Sequence, residues 1–123
     1  MKSLAVNLGV VFLFVGITFC CGDVWGADWR EFAEATTGVF LYDAASISSP
    51  SQGFPRVWIH NGAKRESSLV EMNCMGGGYR VLDVVEYDEA SRIRARHDYY
   101  DNPNWSSISQ KSVPESLQRI VCQ

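Results

Sequence analysis

The stretch SSLVEMNCMGGGYRVLDVVEYD, Ser67 to Asp88, decides the fold. An apolar run reaches Cys74, breaks on Gly76-Gly-Gly78, and resumes as a second apolar run to Tyr87. Glycines at the break allow positive φ and a tight reversal, so the two runs read as antiparallel neighbours, with strands over Ser67–Cys74 and Tyr79–Tyr87. Asp88-Glu-Ala-Ser91 supplies the next turn, and Arg92-Ile-Arg-Ala-Arg-His97 alternates strictly, as a further strand does.

Upstream the same period of two recurs. Trp29–Ala35 and Gly38–Asp43 read as strands joined at Thr36-Thr37-Gly38. Ser48 to Pro55 reads as a loop from its serine, glycine and proline content, and Arg56–His60 as a strand stopped by Asn61-Gly62. At the C-terminus the period changes. Ser112-Val-Pro-Glu115 has the form of a capping box, and Leu117, Ile120 and Val121 fall at i, i+3 and i+4, one apolar stripe of a short helix. The expectation is an α+β fold: about six antiparallel strands in a meander with a C-terminal helix packed on the sheet.

The chain opens with Lys2 and an apolar stretch from Leu4 to Phe19, too short for a comfortable membrane span, which reads as a secretory signal peptide. Val24 and Gly26 place cleavage after Gly26, giving a signal peptide over 1–26 and one domain over 27–123. Cys20 or Cys21 would carry lipid in a lipoprotein, but Phe19 precedes the first and Cys20 the second, where a small residue is expected. The predicted destination is therefore export, to the periplasm or to the outer-membrane surface. The formal charge of the chain is −3, which gives no reason to expect nucleic acid, and nothing beyond the leader could span a membrane as a helix.

Past the leader only Cys74, Cys122, His60 and His97 are candidates for thiol or imidazole chemistry. Zinc needs about four ligands, typically with paired short spacings, and no such spacing exists. A catalytic thiol needs an activating base, and nothing local supplies one to Cys74. Beside these two lesser alternatives stands a disulfide from Cys74 to Cys122, which requires only that the terminal helix lie over the strand carrying Cys74. In an oxidising compartment such a bridge, closing about fifty residues, stabilises by ~4 kcal/mol in the chain-entropy account.

Several surfaces are candidates for binding. Arg92, Arg94 and Arg96 would share one strand face at intervals of about 7 Å, suited to sulfated polysaccharide or an acidic partner, unless Asp83 and its neighbours across the strand occupy them. Lys64-Arg65 would extend that basic area or merely solubilise a turn. Tyr99-Tyr100-Asp-Asn-Pro-Asn-Trp105 is an aromatic, polar loop in which the two tyrosines suit recognition and Trp105 suits a plug beside the helix. Trp29, Trp58, Tyr42 and Tyr79 read as core and sheet-face aromatics. His97-Asp98 invites an enzyme reading, but no nucleophile elbow or oxyanion loop accompanies it, so no catalytic residue is assigned. His60 and His97 could together ligate a haem iron or a metal, although each also reads as closing a strand, and no cofactor is required.

In order and spacing the chain resembles the surface-adhesin protein E-like domains of Gram-negative bacteria. The residues that carry the resemblance are Trp29, Tyr42-Asp43-Ala-Ala-Ser46-Ile47, Val57-Trp58-Ile59, Glu71-Met-Asn-Cys74, Tyr79-Arg80-Val-Leu82, Trp105-Ser-Ser-Ile108, Ser112 and Leu117-Gln-Arg-Ile-Val121-Cys122. Gln110-Lys111 departs from the proline and glycine common there before the capping serine. The resemblance implies an antiparallel sheet with a disulfide-tethered terminal helix. It also implies adhesion to a host extracellular-matrix protein or another envelope component, the alternative being a periplasmic accessory or small-molecule (haem-like) binding protein.

Overall fold

The computed structural model describes residues 27–123, so the expected signal peptide, with Cys20 and Cys21, lies outside the described residues. Six strands form the main path of one sheet, in the order β1 (Trp29–Ala35), β2 (Gly38–Asp43), β4 (Phe54–Asn61), β5 (Glu66–Asn73), β6 (Gly78–Tyr87) and β7 (Ile93–Asp98). Each is antiparallel to its neighbour, and the sheet curls into a half-barrel. Among the described residues no helix is long and apolar enough to cross a membrane.

Two short strands lie off that path. Ser48–Ser51, expected as loop, is β3: it pairs with the first half of β4 through Ser48 and Ser51, while β2 pairs with the second half. The ladder is irregular between those two serines, so Pro50, which has no N–H to give, sits where no ladder bond is required. Ser106–Ser107 is β8, which pairs with Gly78 and Tyr79 along the edge of β6 that β7 occupies further on. The loop from Tyr99 to Trp105 is therefore an excursion between two segments of one sheet edge, pinned where the Tyr99 amide donates to the Leu82 carbonyl at 2.9 Å.

Helix α1 (Val113–Val121) begins as its sequence predicts: the Ser112 hydroxyl accepts from the Glu115 amide at 3.3 Å, and proline occupies the first turn. The reciprocal half of the box differs, since the Glu115 carboxylate accepts from the Lys111 amide rather than from that of Ser112. Leu117, 2% exposed, enters a core with Val57, Val70 and Met72, and Val121 and Cys122 pack around it. Cys74 and Cys122 are disulfide-bonded, with Cα atoms 5.4 Å apart across a separation of 48 residues. The helix is thus held to the sheet by one buried leucine and one covalent bond, as the disulfide reading required.

The two faces of the sheet differ in kind. Val57, Ile59, Val70 and Met72 alternate toward the helix, whereas Arg56, His60, Ser67, Glu71 and Arg80 alternate away from it. On that far side Glu71, 4% exposed, is gripped by Arg56 at 3.0 Å and Arg80 at 2.7 Å. Every buried polar side-chain atom among the described residues has a hydrogen-bond partner.

Candidate functional site

The site is built at one end of the far face, where two hairpin tips stand side by side. The first tip joins β4 to β5: Asn61 Oδ1 accepts from the amides of Ala63 and Lys64, and Arg65 closes the turn at φ +52°. The second joins β6 to β7: Asp88 Oδ1 accepts from the amides of Ala90 and Arg92, and Ser91 closes the turn at φ +63°. Short acceptor side chains that bond backbone two or more residues on are what set such turns. The Tyr87 amide donates to the Arg65 carbonyl at 2.9 Å, which ties the tips together.

Between and below them lies a groove of about 480 Å³ lined by Trp29, Leu41, His60, Gly62, Arg65, Ser67, Tyr87, Asp88, Glu89 and Ser91. Three rings from three strands form its floor, the His60 ring lying 5.9 Å from that of Trp29 and 6.1 Å from that of Tyr87. Register explains the convergence. His60 stands across from Leu41 on one side and Ser67 on the other, and Ser67 across from Val85, two residues from Tyr87 on the same face. His60 Nδ1 lies 2.8 Å from the Ser67 hydroxyl, and burial pushes its pKa below the ordinary value of 6.5. The ring is therefore held neutral near pH 7, with Nε2 making no protein hydrogen bond among the described residues.

The arginine row is not the single stripe expected. Tyr87 pairs with Ile93 but Glu86 with Ala95, so Arg94 is an extra residue, a β-bulge. Arg96 then falls across from Val85 and grips Asp83 with two arms, at 3.2 and 2.7 Å. Arg94 turns instead to Glu86 at 2.7 Å, on the other face, and its hydrogen bond holds the Glu86 carboxyl below the ordinary carboxylate range. Arg92 reaches Asp88 at 3.5 Å within the turn. Asp98, not an arginine, stands directly across from Asp83. The bulge divides the arginines between two faces, and each has a carboxylate partner.

Other expectations are also corrected. Trp105 does not plug the core beside the helix: it lies on the far face, its ring 4.6 Å from the Arg80 guanidinium carbon and 5.8 Å from the Phe54 ring. Trp29, expected as a core or sheet-face aromatic rather than part of a pocket, stands on a sheet face, 43% exposed, and lines the groove. Tyr42 and Tyr79 do pack against the core. Tyr99 and Tyr100 are both about half exposed; Tyr99 stacks on His97 and borders a smaller hollow of about 270 Å³ with Arg80 and Asn102. Of the Lys64-Arg65 pair, only Arg65 borders the groove.

His97 does not join His60. It stands across from Val84, 3.3 Å from Glu86, on the face opposite the groove, so the two imidazoles do not converge on one ion. Asp98 accepts from the Tyr100 amide and does not orient His97. Among the described residues no group of three or more His, Cys, Asp or Glu side chains is placed to hold a metal. Sequence reading passed over Glu89 and Ser91 as turn residues and over Ser67 and Tyr87 as strand positions. The available signal was the alternation that puts Ser67 and Tyr87 on the face of His60, which is useful only once register is known. Comparison with protein-family models, curated proteins and solved structures finds no match to this chain.

Proposed function

We propose that this chain is an exported, non-enzymatic binding module of the bacterial cell envelope, and that it takes a matrix or envelope macromolecule in the groove between its two hairpin tips. The observation that carries the reading is the row of rings formed by exposed Trp29 and half-buried His60 and Tyr87, at the foot of two turns that are hydrogen-bonded to each other. Amphipathic rings on a rigid sheet offer contact area with little entropy to lose on binding. The disulfide suits an oxidising compartment, and the resemblance to surface-adhesin protein E-like domains supports export and adhesion. The arginines of β7 support adhesion less well, because a cation already paired with a carboxylate gains little from a second anion.

The test is capture of extracellular-matrix proteins and envelope fractions by the immobilised, disulfide-bonded protein. Trp29→Ala with Tyr87→Ala is compared against Arg92→Ala with Arg94→Ala, together with protease shaving of intact cells. Loss of capture in the ring variant alone, with shaving from intact cells, supports a surface binding module. Capture indifferent to the rings removes the groove from the reading, and protection in intact cells removes adhesion.

A further inference from the structure

Resting on that groove as the binding site, we propose that its ligand is a neutral glycan, held as a short run of pyranose units across Trp29, His60 and Tyr87. Three observations select this class over the other polymers an exported protein meets.

The first is the floor. Ring centres lie 5.9 and 6.1 Å apart, on the order of one pyranose ring, with the planes of Trp29 and Tyr87 turned 59° and 62° from that of His60, so a sugar can lay its apolar C–H face on Trp29 or on Tyr87 while His60 between them presents a ring at an angle to both. His60 adds a polar atom to this apolar row. Its Nδ1 faces the Ser67 hydroxyl, and Nε2 remains available to a ligand hydroxyl. A mostly apolar floor with a few placed polar groups is the usual composition of a small-ligand site.

The second is the rim. Arg65 and Glu89 stand on opposite tips, and neither side chain has a hydrogen-bond or ion-pair partner among the described residues, while both border the groove. A planar guanidinium donates two parallel N–H groups and a planar carboxylate accepts two O–H groups, the two halves of what adjacent sugar hydroxyls require. Arg65 occupies a backbone conformation that glycine adopts at least cost, and the chain nonetheless places a guanidinium there.

The third is what the site lacks among the described residues. A sulfated or phosphorylated polymer needs a surplus of positive charge, yet the lining holds one cation, Arg65, with two carboxylates, Asp88 and Glu89, and the three arginines of the neighbouring turn and strand are engaged. A peptide adding as an extra strand needs free backbone donors and acceptors. Of the floor residues Trp29 stands on the edge strand β1, but His60, Ser67 and Tyr87 lie on strands flanked on both sides. Recognition there must run through side chains, as it does for sugars.

The experiment titrates the disulfide-bonded protein with neutral trisaccharides of glucose, galactose and N-acetylglucosamine, and with a heparin-derived tetrasaccharide, following backbone amides by NMR. The expected result is saturable shifts at Trp29, His60, Arg65 and Tyr87 with at least one neutral sugar. Trp29→Ala and Tyr87→Ala should each weaken that binding about tenfold, as truncation of a stacking anchor does, and Glu89→Gln should weaken it with melting unchanged. Shifts that map outside the groove, tighter binding of the heparin fragment within it, or no saturation by any neutral sugar would overturn the proposal. If no sugar binds while the ring variants still abolish macromolecular capture, the glycan inference falls alone. If capture ignores the rings as well, the groove reading falls with it.

Discussion

Asp83, 2% exposed on β6, is held by both arms of Arg96 across a ladder that a bulge at Arg94 has shifted by one residue. The two partners are unequal, since the arginine is 60% exposed and the aspartate is sealed beneath it. Removing the exposed partner therefore leaves a buried carboxylate with no counter-charge. Arg96→Ala should lower the urea midpoint by more than either neighbouring arginine substitution, because a stranded buried carboxylate bears the desolvation penalty. Arg92→Ala and Arg94→Ala, whose pairs lie at the surface, should each cost less than about 1 kcal/mol. Equal effects at all three positions would mean that the bulge does not divide the row.

The covalent tie is tested through the helix it holds. Cys74→Ser with Cys122→Ser should lower stability by about 4 kcal/mol at most, the loop-entropy value for a 48-residue separation. Leu117→Ala, with the bridge intact, should cost about 2–5 kcal/mol because the side chain is buried between the helix and Met72, Val70 and Val57. Non-reducing peptide mapping should recover the Cys74 and Cys122 peptides joined; two free thiols would remove the staple.

Gly38 opens β2 at φ +121°, and a Cβ built there would lie 2.7 Å from the Ala63 Cβ and 3.1 Å from Asn61 Oδ1. Gly38→Ala therefore meets both backbone strain and a clash with the turn that walls the groove. A loss of about 1–3 kcal/mol is expected, measured as a fall in the urea midpoint with the slope unchanged. A neutral result would mean that the β4 to β5 tip is free to move away.

His60 sets a pH dependence whose sign follows from its burial. Its folded pKa lies below the ordinary 6.5, so under acid the unfolded chain takes up the proton more readily than the folded one. The stability linked to His60 is complete above about pH 6.5 and is lost as pH falls from there through the lower folded value. His60→Gln should flatten unfolding free energy against pH in that window while leaving the carboxylate region below it, where Glu86 titrates, unchanged. A slope that survives the substitution would assign it elsewhere.

Much of the frame was legible because it rests on local chemistry. Met75-Gly-Gly-Gly78 turns the chain wherever it lies, Ser112 caps the helix with groups three residues away, and Leu117 with Val121 makes an apolar stripe without reference to the sheet. The misreadings fall where distant segments compete. Ser48–Ser51 became a strand because half of β4 was left unpaired by β2, and Trp105 lies on Arg80 rather than beside the helix because β8 runs along β6.

The sequence by itself determined an antiparallel sheet, a terminal helix and the expectation of the Cys74 to Cys122 pairing, since period and turn residues act over short range and residues 27–123 hold only these two cysteines. Only the tertiary structure decided which side chains line the groove. A single extra residue at Arg94 moves side chains from one face to the other, because strand side chains alternate with period two. Trp29, His60 and Tyr87 are 58 residues apart from first to last, and only strand register brings their rings together.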